Sequence, residues 1–86
     1  MPEISRFFGI VITMPPNDHL PPHFHAAYGG AFATIAIESG GLIRGELPPR
    51  ILGLISEWTS LHRMALRTNW DLVRAGHPVR RIAPLE

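Results

Sequence analysis

Three of the five histidines in this chain lie within one short string, Asp18-His19-Leu20-Pro21-Pro22-His23-Phe24-His25. Imidazole is the side chain that titrates near neutral pH, so a cluster of them suits proton transfer. Neutral histidine nitrogens are also common ligands of Zn, Ni, Cu and Fe(II), so His19, His23 and His25 form a candidate set for a divalent transition metal. If His23 and His25 open a strand, their side chains leave the same face, because strand residues alternate. His19 lies across the stiff Pro21-Pro22 turn and can fold back toward them. The plainer alternative is a polar loop whose imidazoles bond to backbone groups. A cupin-like site is excluded: its His-x-His pair needs a glutamate close downstream, and here Ala26-Ala27-Tyr28-Gly29 follows.

A second group of polar residues stands on a helical pattern. Ile51, Ile55, Trp58, His62, Ala65, Asn69 and Leu72 recur at steps of four and three and make one stripe. His62 and Asn69 on that stripe are costly unless partnered. Either His62 bonds a strand carbonyl and Asn69 caps a loop, or both face the histidine string and complete one cleft. The cleft reading expects at least two of His19, His23 and His25 to lie within reach of His62 or Asn69. It gives His23, His25, His62 and Asn69 as catalytic candidates, and Arg6, Asp18, His19 and Trp70 as binding residues. Trp58 reads as core, and Trp70 as a shield at the rim.

The elements that must position these residues follow from the punctuation of the chain. Ile4 to Met14, apolar and β-branched, reads as a first strand stopped by Pro15-Pro16-Asn17-Asp18. His23 to Tyr28 is a second strand, closed by the Gly29-Gly30 hairpin signal. Ala31 to Glu38 and Leu42 to Leu47 follow across Ser39-Gly40-Gly41. Such short turns carry an antiparallel meander and no parallel crossover. Pro48-Pro49 starts a helical segment that runs to Ala75, as one helix or two with a bend near residues 62–68, and Gly76 stops it. The tail lies back on the domain through Val79, Ile82 and Leu85. The expectation is α+β: a sheet of three to four strands over residues 4–47, a helical segment over 48–75 that covers one face, and a tail over 76–86, all in a single domain spanning 1–86.

Composition narrows the function classes. With 86 residues, 45% apolar and 17% charged, the chain can fold but has a small core, and a partner subunit helps. No cysteine is present, which excludes disulfides and thiolate metal sites. No apolar run approaches the ~20 residues of a membrane span, and no signal peptide is apparent, so the expected location is cytoplasmic, with no membrane partner. The net charge of +1 argues against a strong nucleic-acid binder. All eight basic residues are arginines, however, and Arg63, Arg67, Arg74, Arg80 and Arg81 crowd the last third. They suit an anionic surface, or else a solvated helix face paired with Glu57 and Asp71. There is no phosphate-binding glycine loop and no nucleophile elbow.

Pro2-x-Ile4-Ser5-Arg6-Phe7-x-Gly9-Ile10-Val11-Ile12 and Asn17-Asp18-His19-x-Pro21-Pro22-His23-Phe24-His25 resemble the bacterial domain of unknown function 4160. Glu57-Trp58-x-x-Leu61-His62-Arg63, Asn69-Trp70 and Ile82-x-Pro84-Leu85 are similar to its C-terminal half. The resemblance places Asp18, His19, His23, His25, Trp58, His62, Asn69 and Trp70 at motif positions. The uncharged Ala26-Ala27 is the less usual feature. It also implies a small protein often encoded beside a second small protein, of the domain of unknown function 2442, as in a toxin–antitoxin pair.

Three functions compete. One is a toxin-like component acting on RNA, with two histidines as base and acid and an arginine such as Arg6 or Arg63 steadying the phosphorane. Another is a metal-binding module on His19, His23 and His25. The third is a non-enzymatic regulatory partner that binds through its free sheet face. A homodimer or a heteromer with a small partner protein is expected over a monomer, because one helical layer covers only one face of the sheet.

Overall fold

The computed structural model describes residues 2–16 and 19–86. Five strands form one antiparallel sheet in chain order: β1 (Glu3–Phe7), β2 (Ile10–Thr13), β3 (His23–Tyr28), β4 (Ala31–Ala36) and β5 (Leu42–Gly45). Two helices follow, α1 (Pro49–Leu61) and α2 (Arg63–Arg74). The meander and the α+β class match the sequence reading, but the strand count does not. The single strand expected from Ile4 to Met14 is a hairpin, because Phe8 and Gly9 both take positive φ, at 50° and 80°. Two consecutive left-handed residues make the tight turn that matches strand twist. Phe-Gly lacks the usual Asn-Gly signature, and its apolar surroundings disguised the turn as strand.

The helical segment is two helices. His62 sits between them at φ −121° and ψ 23°, outside helical values. That residue resets the phase, so the continuous stripe does not survive. α1 buries Ile51, Ile55, Trp58 and Thr59, while α2 buries Leu66, Asn69, Trp70 and Val73. Ala65 is exposed and Leu72 only half-buried. A proline leads α1, and α2 ends in a Schellman motif. There the His77 amide donates to Leu72 O at 2.8 Å and the Gly76 amide to Val73 O at 3.2 Å. Gly76, at φ 79°, supplies the left-handed residue this motif needs.

Alternation along the strands sorts the two faces of the sheet. Ile10, Ile12, Phe24, Ala26, Ala33 and Ile35 are buried on the side the helices cover. Trp58 of α1 packs there against Phe7 and Phe24, with ring centroids 5.3 and 5.6 Å away. The tail closes this core as expected: Ile82 and Leu85 are buried, and the Ile82 amide donates to Ile4 O at 2.7 Å. The Trp58 indole N–H donates to Ala83 O at 2.9 Å. The opposite face carries no layer of secondary structure among the described residues. No helix among them is long and apolar enough to cross a membrane.

Candidate functional site

The register builds a polar row across the uncovered face. Thr13 pairs with His25, His25 with Thr34, and Thr34 with Arg44, so four consecutive strands each contribute one side chain. In antiparallel pairing, opposed residues share a face. The adjacent row is apolar and runs Val11, Ala27, Phe32. Together the two rows line a hollow of about 640 Å³. Its floor is made of small residues. Phe32 forms one wall and is 69% exposed despite its place inside a strand. The edge strand bends over the other side, with a register shift between Thr34 and Ile35 and Gly45 at φ 86°.

A smaller hollow, of about 80 Å³, opens beside the first. His19, Leu20, Pro21 and His23 line it on the loop side, and Ile43 on the edge side. His25, Thr34 and Arg44 line both hollows. The junction of the two is therefore an imidazole, a hydroxyl and a guanidinium on one row.

The histidines stack in order. His23 lies 6.2 Å from His19 and 5.6 Å from His25 between ring centroids, as expected for two strand residues on one face. His23 is buried at 5% exposure, and Trp70 of α2 packs on it at 5.1 Å. Its Nδ1 is 2.7 Å from Pro21 O. A carbonyl only accepts, so Nδ1 carries the hydrogen. The Leu20–Pro21 peptide is cis. Among the described residues, no group of three or more histidines and carboxylates is arranged to hold a metal ion. Asp18 lies outside the described residues.

The remaining candidates have other work. The Asn69 side-chain amide donates to Arg80 O and accepts from the Arg80 amide, both at 2.8 Å, so it clamps the tail to α2. His62 rests on Trp58 at 5.6 Å, at the helix junction. Among the described residues, neither lines either hollow. What α2 brings to the histidines is Trp70, which also carries Arg74 over its ring at 5.8 Å.

The arginines named from sequence are engaged elsewhere than in the two hollows, although Arg6 stands opposite Val11 on the open face. Arg6 binds Glu3 at 2.7 Å, and Arg63 Nε donates to Ile37 O at 3.0 Å. Glu3 also binds Arg81, and the hydrogen bonds from Arg6 first and Arg81 second pull its carboxyl down to about 2. Glu38 pairs with Arg67, which holds its carboxyl below the usual range. Glu3 and Glu38 thus take the part expected of Glu57 and Asp71. The arginine beside the histidines is Arg44, which makes no ion pair among the described residues. Thr13, Thr34, Phe32 and Arg44 were missed in the sequence. Parity along β4 offered a signal for Phe32 and Thr34, but Arg44 joins them only through the strand register.

Residues 9–71 match the family model described as a domain of unknown function, DUF4160. The chain belongs to this family. The matched span contains every residue that lines the two hollows, while β1 and the tail that packs on it lie outside. No curated protein and no solved structure matches this DUF4160 chain.

Proposed function

We propose that this DUF4160 protein acts on RNA through the row on its open sheet face, as one component of a toxin–antitoxin-like pair. The observation that carries this reading is the junction at which His25, Thr34 and Arg44 line both hollows, with His19 and His23 alongside. Two imidazoles can serve as base and acid, and a guanidinium can stabilise the phosphorane, in transesterification of a phosphodiester.

In the proposed step, His25 takes the proton from a ribose 2′-hydroxyl as its oxygen attacks phosphorus. The bond from phosphorus to the 5′-oxygen breaks, and His19 delivers a proton to that leaving oxygen. The products are a 2′,3′-cyclic phosphate and a 5′-hydroxyl, with no redox change and no metal needed. Arg44 offsets the charge that builds on the phosphorane oxygens. His23, tethered to Pro21 O and packed under Trp70, positions the rings on either side of it. RNA incubated in EDTA tests this: wild-type protein cleaves it, and His25→Ala loses about 10²–10⁴-fold in rate. Growth arrest on expression should disappear with the same substitution.

A second reading, a regulatory protein that a small partner covers, draws on the apolar exposure around the open face. Phe32, Leu42 and Ile43 are 69, 46 and 45% exposed. On that reading Phe32→Ala dissociates a co-purifying partner and no RNA is cleaved.

A further inference from the structure

We propose that the larger hollow on the open sheet face seats the base of one nucleotide of single-stranded RNA, with Phe32 as its stacking partner; this deepens the reading of the polar row given above. Phe32 is 69% exposed within its strand, and with Val11 and Ala27 on the same row it presents a continuous apolar surface beside the polar row. Next to it the floor is low: Ala27 pairs with Phe32, and the next rung, Ala26 with Ala33, turns its side chains to the helices and leaves only backbone on this face. A flat ring can therefore lie on Ala27 against the Phe32 side chain without displacing anything. The polar and apolar rows are two strand residues apart, about 7 Å. That is the scale on which a nucleotide separates its phosphate from its base. Arg44 and His25 then face the phosphate while Val11, Ala27 and Phe32 face the base.

Charge decides between this occupant and an apolar peptide. The hollow ends on a guanidinium that forms no ion pair among the described residues, so its complement carries an anion beside an apolar plane. Thr13 and Thr34 hydroxyls both donate and accept, and aromatic stacking tolerates any base, so the seat reads no particular sequence. Among the described residues Arg44 is the arginine that lines the hollows, and Arg6, opposite Val11 on the same face, is held by Glu3, so affinity depends on stacking more than on phosphate contacts.

The test is equilibrium binding of a fluorescein-labelled deoxyoligonucleotide in EDTA, which lacks the 2′-hydroxyl and cannot be cleaved. The expected result is measurable binding by the wild type. Phe32→Ala should weaken it roughly 5- to 150-fold, while its thermal melt matches wild type. The slope of log K against log salt should be shallow, about −0.7 for a single phosphate contact, and should flatten in Arg44→Gln. Phe32→Ala binding as tightly as wild type overturns the proposal, and so does the hollow serving a protein partner, which gives that same unchanged binding. The catalytic reading fails separately: Phe32-dependent binding without RNA cleavage keeps the base seat and removes the chemistry. Cleavage that depends on His25 with binding indifferent to Phe32 does the reverse.

Discussion

Individual side chains divide sharply between fastening and exposure in this protein. Asn69 is 1% exposed and spends both halves of its amide on the Arg80 backbone. Asn69→Ala removes both hydrogen bonds to the Arg80 backbone, so it should cost about 1–2 kcal/mol in urea unfolding. Asn69→Asp keeps the acceptor but turns a carboxylate oxygen on Arg80 O, and should destabilise at least as much. Glu3 fastens the opposite side of the tail, joining Arg6 and Arg81. Its carboxyl is lowered to about 2 in the folded state, from an ordinary 4.5. Folding therefore gains from its ionised form above pH 4.5, and that gain is lost as pH falls through about 2. Thermal melts of wild type and Glu3→Gln should accordingly differ at pH 6 and converge near pH 2. Of these fasteners the sequence showed only the type of residue: a helical Asn on an apolar stripe announces a partner but not which one.

At the scale of elements, turn chemistry made most of the meander readable. Gly29-Gly30, the Ser39-Gly40-Gly41 break and Pro48-Pro49 all fall where elements change. What escaped was Phe8-Gly9, where apolar composition hid a left-handed turn, while the break at His62 was one of two readings that a residue of ordinary helix propensity left open. Both depend on tertiary packing more than on local preference. Gly45 is the position at which the edge strand depends on one residue. Its φ is 86°, and a Cβ there would collide with the Phe32 carbonyl oxygen and lie 3.0 Å from Ala33 Cα. Gly45→Ala should destabilise by about 2 kcal/mol or more, measured by denaturant midpoint. It should also shift the amide resonances of Thr34 and Arg44, because β5 must move to admit the methyl group. The histidine string was legible for a comparable reason: strand parity alone puts His23 and His25 on one face. Arg44 was not, since its place beside them is fixed by pairings of β3 with β4 and β4 with β5.

For the whole molecule, the governing fact is asymmetry. Helices and tail bury one face of a five-stranded sheet, and the other face presents two hollows that meet at His25, Thr34 and Arg44. The α+β layering could be read from the order of strands before helices, but the concavity of the open face could not. Concavity comes from the β5 bulge and from the small side chain of Ala27 on the open face. The most direct measurement is product analysis of a defined RNA incubated in EDTA with wild type and with His25→Ala, purified identically and each shown to be folded by its melt. The account predicts fragments ending in 2′,3′-cyclic phosphate and 5′-hydroxyl from the wild type, and intact RNA from the variant. Intact RNA in both, or the same fragments at the same rate from His25→Ala, would contradict it.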